Sequence, residues 1–553
     1  MTTDTEDLPH VPVLIVGSGP VGLALSGDLG KRGVETMLVE KTDGTIYQPK
    51  MDLVGVRTME FCRRWGIAEW VEASPYPRDY LQDYIYVTTL TGWELSRERF
   101  PTKNDEQKPV QSPQKRERCP QDMFDPILRR FVAQVGKTDL RYECELISFE
   151  QFDDGVVSTL RQSGATYQVR SDYLVGCDGP TSTVRAQLGI PMIGPGVLTY
   201  TTNIIFRCPD LVSLHDKGEG YRFIFIGPEG TYATLVAING GDRWRFSIVG
   251  DGSPRRYSEN EVREAIVRAV GRDFDFDVLS IVPWTRRELV AERYQDGRVF
   301  IAGDSAHVTS PTGGFGMNTG IQDAVDLSWK ITATLQGWAG DDILSSYQTE
   351  RKPVAERNVA EAGENLRRML SPRYDLPPQE VFEPGTVGDQ AREAYGKKFA
   401  DIIRPEWFTI GIHLGYRYDH SPIVVSEDGT PPTLEVASYQ QSTWPGGRAP
   451  HVWLEDGSST LDAFGDGFTL VRLGLRSPTA EDFIAAAEEL GVPLKVVDWQ
   501  QPDVVAIYER KLVLVRPDGH VAWRSDETPD DPRIVLETVS GRVPSNVGWK
   551  VGS

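Results

Sequence analysis

The sequence predicts an α/β chain built from an open parallel sheet covered by helices, an antiparallel sheet inserted into it, and a further unit after about residue 430. Three observations predict it. The apolar runs Val11 to Val16, Tyr173 to Cys177 and Val299 to Ala302 each break off at a glycine or an adjoining glycine and aspartate, as strands do where open α/β sheets bind ligands. From about Tyr200 to Val249, the stretches YRFIFIG, TYATLVAI and RWRFSIVG alternate aromatic and polar residues, the pattern of antiparallel strands with one buried face. At 553 residues the chain exceeds what one core can serve, so two or three domains follow.

The first element is VPVLIVGSGPVGLALSGDLGKRGVETMLVEK. A strand runs into Gly17, Gly19 and Gly22, a helix follows through Leu23, Leu25 and Leu29, and a second strand, Thr36 to Val39, ends on Glu40. The glycines supply a tight turn, close backbone approach to a pyrophosphate and close packing of helix on strand. The helix N-terminus favours the anionic phosphates, and Glu40 is placed to bond both ribose hydroxyls of an adenosine. This is a Rossmann-like dinucleotide site, open at this point to FAD or NAD. The second element, SDYLVGCDGPTSTVRAQLGI, ends its strand on Asp178 and Gly179 and opens a helix carrying Ser182 and Arg185. The third, GDSAHVTSPTGGFGMN, follows the strand VFIA and leads into a helix with an apolar face at Ile321, Ala324, Val325, Ile331 and Leu335. Three such strand ends point to one large cofactor lying across several strands.

Composition narrows the function. A formal net charge of −21 argues against a phosphate-neutralising nucleic-acid surface. The start, MTTDTEDLPH, lacks the order of a signal peptide, and no apolar run is long enough to span a bilayer; a cytoplasmic protein is expected. The five cysteines, Cys62, Cys119, Cys144, Cys177 and Cys208, form no CxxC pair and read as reduced thiols, with neither a disulfide framework nor a metal site.

In their order, GSGPVG, CDGPTSTVR and GDSAHVTSPTGGFGMN resemble the FAD-dependent aromatic hydroxylases, the single-component flavoprotein monooxygenases of the para-hydroxybenzoate hydroxylase and phenol hydroxylase type, over roughly residues 10 to 370. The resemblance implies FAD, reduced by NADPH or NADH, and oxygen delivered to a phenolic or polycyclic aromatic ring through a flavin C4a-hydroperoxide. It implies that Asp304 holds the ribityl chain and that Gly313, Gly314 and Gly316 let the backbone lie against the flavin ring. Met317 and Asn318 complete this segment, where the helix N-terminus serves the anionic reduced flavin. Gln121 falls where the family has a glutamine contacting FAD. Lys50 falls where an arginine is usual near the phosphates, and it lacks the planar fork of that residue. Asp178 and Arg185 belong to the cofactor set, while Arg57 is either a cofactor contact or a surface or capping residue.

For the substrate, Asp52 resembles the active-site aspartate of phenol hydroxylase, a base for the phenol proton; a helix cap is the competing reading. Pro311 resembles the proline whose carbonyl lies beside the reacting flavin edge. His307 is open to a structural or an acid–base role. Tyr221, Phe223, Phe225, Tyr232 and Trp244 are candidates to line a planar pocket, although aromatics at period two also build cores. The expected division is an FAD-binding domain from 1–78, 105–185 and 285–375, a substrate-binding sheet from 79–104 and 186–284, a helical linker over 376–429, and a C-terminal domain over 430–553 that resembles the thioredoxin-like unit of phenol-hydroxylase-type members. All cysteines precede residue 209, so this last domain has no redox thiol and is left with packing or homodimer contact. Two other classes stay open. A flavin-dependent halogenase would need a WxWxIP segment with a lysine, which is missing, and a non-catalytic flavin-binding protein would lose the glycines at the flavin edge.

Overall fold

A strand whose Val13, Leu14 and Ile15 are all fully buried must be covered on both faces, and the computed structural model, which describes residues 8–250 and 252–543, places it so. The acidic segment 1–7 and the C-terminal residues 544–553 lie outside the described residues. Strand His10–Val16 is parallel to Thr36–Val39 on one side and Ala165–Gly176 on the other, and Val299–Ile301 continues beyond the latter. The registers pair Val16 with Val39 and Gly176, and Gly176 with Ile301, so Gly17, Glu40, Asp178 and Asp304 gather along one sheet edge. Helix Pro20–Lys31 packs between helices Gln121–Val135 and Phe315–Leu335. The last starts at Phe315, because Gly314 sits at φ +70°, outside the helical region.

The second sheet runs, in order, through His307–Val308, Asp277–Ala291, Met192–Arg207, Arg243–Val249, Gly230–Ala237, Arg222–Gly227, Tyr84–Val87 and Glu94–Glu98. Its alternation creates two unlike faces. Phe223, Phe225, Trp244 and Phe246 form one core with Val262 and Ile266 of helix Glu259–Val270. The opposite face presents Tyr86 and Ile224, which pack with Tyr395, Phe399 and Trp407. Helix Thr386–Ile403 lies so close to strand Glu94–Glu98 that a Cβ on Gly396 would stand 1.8 Å from the Leu95 carbonyl oxygen. Val381, Tyr395, Phe399, Ile403 and Trp407 thus wall this face, while Ile423 and Val425 join the core of the C-terminal unit.

The C-terminal sheet has the order Leu494–Trp499, Phe468–Leu473, Leu512–Val515, Val521–Ser525. One parallel and two antiparallel pairings, with helices Glu481–Leu490, Pro502–Tyr508 and Pro532–Val539, give the thioredoxin-like arrangement. Its core is continuous with the first unit, since Trp329, Trp338 and Ile343 pack with Phe468, Phe483 and Trp523. Arg57 belongs to this junction. Weighed above as a surface, capping or cofactor residue, it is buried, pairs with Glu60 at 2.8 Å and donates to the Asp518 carbonyl at 2.8 Å. Among the described residues no helix is long and apolar enough to cross a membrane.

Candidate active site

The glycine turn is held open by geometry that only glycine permits. Gly17 has φ +103°, and a Cβ there would stand 2.4 Å from the Cys177 carbonyl oxygen; a Cβ on Gly22 would stand 2.0 Å from the Gly17 carbonyl oxygen. Gly19, by contrast, has nothing within 4 Å of its Cβ direction, so the backbone there is free to be approached. The helix that follows has no side-chain cap and no acidic residue in its first turn, leaving its N–H groups for an anion. Glu40 accepts from the Ser18 N–H at 3.0 Å and from the Thr42 N–H and hydroxyl at 2.9 and 2.8 Å.

Several predicted cofactor residues are committed to protein contacts. Asp178 caps helix Thr183–Gln187, accepting from Ser182 Oγ and from the N–H groups of Thr183 and Val184. Arg185 donates to the carbonyls of Ser305 at 2.8 Å and Pro180 at 2.9 Å, tying the second motif to the third. Gln121 Oε1 accepts from the Lys50 N–H at 3.0 Å, while the Lys50 ammonium lies 5.9 Å over the Trp284 ring. The Asn318 amide is filled by Gly55 N–H, Thr58 hydroxyl and the carbonyls of Leu53 and Gly314, so it positions the start of the helix. Met317 packs against the main core.

Asp304 differs from these. Half-buried, its carboxylate takes no hydrogen bond from any described residue, and Oδ1 lies 3.9 Å from the Cβ direction of Gly316. A free acceptor beside glycines 313, 314 and 316, on the same edge as the open Gly19 turn, fits a long ligand with a hydroxylated chain. Gly313 and Gly314 have φ +85° and +70°, and the Gly314 N–H donates to the Pro311 carbonyl at 3.2 Å. Pro311 itself is exposed. His307 is buried with Nε2 2.7 Å from Asp323, whose other oxygen accepts from Arg351 at 2.8 Å; this pair holds the loop from beneath.

Asp52 lies near this loop, its neighbour Leu53 standing 4.0 Å from the Cβ direction of Gly314. Helix Val56–Trp65 has Gly55 as its N-cap, so Asp52 caps nothing. It directly precedes the short strand Leu53–Val54, which pairs with Glu117–Arg118. Its carboxylate meets Arg118 at 3.0 Å and Arg245 at 3.5 Å and accepts a short bond from the Tyr221 hydroxyl. Burial alone would raise its pKa, but Arg118, Arg245 and the Tyr221 hydrogen bond hold it below the usual carboxylate range. Burial and the adjacent Asp52 charge push Tyr221 well above the usual phenol value, so Tyr221 is the neutral donor of the pair. Arg118 also covers the Tyr221 ring at 3.5 Å and donates to Gln82 at 2.9 Å. A small cavity of about 20 Å³ beside it is lined by Leu53, Tyr84 and Phe100 among others, and Tyr84 packs on Trp407 at 3.8 Å between centroids.

Of the aromatic candidates, Tyr221 reaches this site and Phe223, Tyr232 and Trp244 do not. Phe223 and Trp244 face the opposite core, where Trp244 donates to the Cys208 carbonyl at 3.0 Å. Tyr232 sits at a register shift that turns it to the same side, with its hydroxyl on the Thr88 carbonyl at 2.9 Å. Phe225 lies on that face too. A larger opening of about 530 Å³ at the other end of these strands, by Thr88, Trp93 and Arg268, takes in Tyr232 but none of the Asp52 group. The residues missed by sequence reasoning, Arg222 and Arg245, alternate with those aromatics. Arg222 pairs with Glu406 at 2.9 Å, and Glu406 in turn accepts from the Gly313 N–H at 3.3 Å.

Comparison with known proteins shows the family. Residues 10–362 match the family described as FAD binding domain, and residues 442–543 match the family described as aromatic-ring hydroxylase, C-terminal. The FAD-dependent monooxygenase apdD of Emericella nidulans is 32% identical over 94% of this chain and 88% of its own. The structure of the rebeccamycin biosynthetic enzyme RebC with reduced flavin superposes with a TM-score of 0.89 at 38% identity, covering 97% of this chain and 99% of that one. A ternary complex of aklavinone-11 hydroxylase with FAD and aklavinone gives a TM-score of 0.79 at 31% identity, over 96% and 98%.

Proposed function

Because the chain belongs to the FAD-dependent aromatic-ring hydroxylases, we propose that it uses NADPH or NADH and molecular oxygen to hydroxylate a phenolic ring of a polycyclic substrate, as the bound aklavinone of one structural neighbour suggests. Bound FAD supplies the activation of oxygen; the residues of the chain supply its seat, the substrate's orientation and the handling of the phenol proton. Asp304 and Glu40 accept the hydroxyls of the ribityl chain and the adenosine ribose, and the open turn at Gly19 takes the pyrophosphate. The glycines from 313 to 316 leave room for the flavin ring at the loop that Glu406 braces through the Gly313 N–H.

The observation that carries the reading is the Asp52, Tyr221 and Arg118 group, set beside this loop by Leu53, which stands 4.0 Å from the Cβ direction of Gly314. Tyr221 donates its proton to Asp52, which turns its own oxygen lone pairs toward the substrate. A phenol O–H donating to that oxygen gains electron density as its ring is attacked. Burial opposes it, but Arg118, Arg245 and the Tyr221 hydrogen bond favour the charged form of Asp52 at the acceptor end of this chain. Tyr84 and Trp407, packed on each other, form an aromatic layer beside Tyr221. The halogenase and non-catalytic readings are not favoured.

A panel of mono- and polycyclic phenols, added to the FAD-loaded protein with NADH or NADPH, tests this. A polycyclic phenol is expected to accelerate nicotinamide oxidation and to yield a product heavier by one oxygen atom. Nicotinamide oxidation that no aromatic compound stimulates would remove the proposal.

A further inference from the structure

The turn Gly303–Ser305, followed by Ala306 and His307, is fixed at every residue but one. Ser305 Oγ lies 2.6 Å from the carbonyl oxygens of both Gly176 and Ala302, and the Ala306 N–H donates to the Gly303 carbonyl at 2.8 Å. Gly303, Ser305, Ala306 and His307 are buried. Asp304, between them, is half-buried, and its carboxylate takes no hydrogen bond from any described residue.

One carboxylate oxygen closes this turn from both ends. Asp323 Oδ2, on helix Phe315–Leu335, accepts from the Gly303 N–H at 3.2 Å and lies 2.7 Å from His307 Nε2. The residue just before Asp304 and the residue three after it thus share a single anchor. The other oxygen, Oδ1, accepts from Arg351 Nε at 2.8 Å, and Arg351 is itself held by the Thr319 carbonyl at 3.2 Å and the Tyr418 hydroxyl at 3.3 Å. Burial would raise the Asp323 pKa, but Arg351 and His307 hold it below the usual carboxylate range. Hydrogen bonds to a buried charged group are strong, and costly to leave unmade. The anchor has no room to yield, since a Cβ on Gly320 of the same helix would stand 3.0 Å from the Gly303 Cα and 2.6 Å from the Val21 side chain. At 0% exposure Asp323 touches neither cofactor nor substrate, so what it does to either passes through the turn above it.

We propose that Asp323 is a positioning residue of the flavin seat: by pinning Gly303 and His307 it aims the Asp304 carboxylate at the ribityl hydroxyls and so governs how tightly FAD is held. This rests on the reading of Asp304 given above and is independent of which ring is hydroxylated.

The FAD dissociation constant of the holoenzyme, read from flavin fluorescence with no aromatic compound present, tests this alongside the melting temperature. Asp323→Asn keeps the shape but turns an NH₂ group toward one of its two sets of donors, and is expected to weaken FAD binding by about 10- to 100-fold, the scale of a charge-assisted hydrogen bond. His307→Phe removes one tie and leaves the Arg351 pair, so about 3- to 10-fold is expected. His307→Gln, whose amide can donate at the same place, should restore most of that loss. In an Asp304→Ala background neither Asp323→Asn nor His307→Phe should weaken FAD binding further, although each still lowers the melting temperature, because residues acting through one group are not additive. Losses that multiply with Asp304→Ala overturn the proposal, as does a lowered melting temperature with FAD affinity unchanged, or equal weakness of the Phe and Gln variants at 307. Where Asp323→Asn does not fold, the two His307 variants decide by the same criteria. FAD held as tightly by Asp304→Ala as by the unmodified enzyme would remove the reading of the seat and the proposal with it. An enzyme that behaves as expected here yet hydroxylates no phenol would leave the proposal standing and remove the substrate reading instead.

Discussion

Replacing Asp52 by asparagine lowers the rate of hydroxylation by about 10²- to 10⁴-fold, the range expected when a positioned proton acceptor is lost. The substitution preserves shape but removes the charge that Arg118 and Arg245 share and the acceptor of the Tyr221 hydrogen bond. Tyr221→Phe is expected to fall in the same range, because the proton chain is broken one link nearer the substrate. The double variant should lose little more than either single one, since groups acting as a unit are not additive. Nicotinamide oxidation should continue with less product per equivalent consumed. Asp52 is held below the ordinary carboxylate pKa, so it is ionised throughout the neutral range and contributes no step to the rate profile between about pH 5 and pH 8. In Asp52→Asn, raising the pH toward the pKa of the phenol should restore part of the yield, because solvent then supplies the phenolate. Measuring product per nicotinamide oxidised across pH in the three variants checks this; multiplicative losses in the double variant would show that the two residues act separately.

Arg516→Met is expected to destabilise the protein by about 3–5 kcal/mol, the cost of leaving buried charges without their partner. Arg516 is fully buried and reaches Glu350, Asp326 at 3.1 Å and Asp518 at 2.7 Å, while Lys330 holds Asp326 at 2.7 Å and Glu350 at 2.6 Å. Burial, with Glu350 alongside, pushes the Asp326 carboxyl above its ordinary value, whereas Glu350 is held down to about 2 because Arg516 and Lys330 outweigh its burial. Three carboxylates thus share two cations, and removing Arg516 leaves Lys330 alone to pair with them. Asp326 and Lys330 lie on helix Phe315–Leu335, whose first turn borders the flavin-edge loop. Thermal release of FAD, followed by its fluorescence, should therefore shift sharply downward in Arg516→Met and less in Arg516→Lys. An unchanged release temperature would mean that the C-terminal unit does not brace this helix.

The parallel sheet was legible because each motif is local: strand, turn and helix start lie within a few residues, and the glycines at 17 and 22 are demanded by backbone contacts that admit no side chain. The period-two alternation of RWRFSIVG was equally legible, but alternation assigns residues to two faces without saying which face meets the cofactor. The aromatic set led to Trp244, which lies in the core under helix Glu259–Val270, whereas the intervening Arg245 reaches Asp52. Asp178 is a related case: an aspartate after a strand suits either a ligand or a cap, and here two N–H groups of the next helix take it. What no local pattern carries is the meeting of Asp52 with Tyr221, separated by 169 positions, or of Arg57 with Asp518, separated by 461. Those depend on how the sheets and the C-terminal unit pack.

The most direct test of the hydroxylase assignment is turnover of the accepted phenol under isotopically labelled oxygen gas in ordinary water, with the product analysed by mass. The account predicts that the new hydroxyl carries a single labelled atom and that the product forms in step with nicotinamide oxidation. A product hydroxyl drawn from water, or labelled hydrogen peroxide formed with no hydroxylated ring, would contradict it.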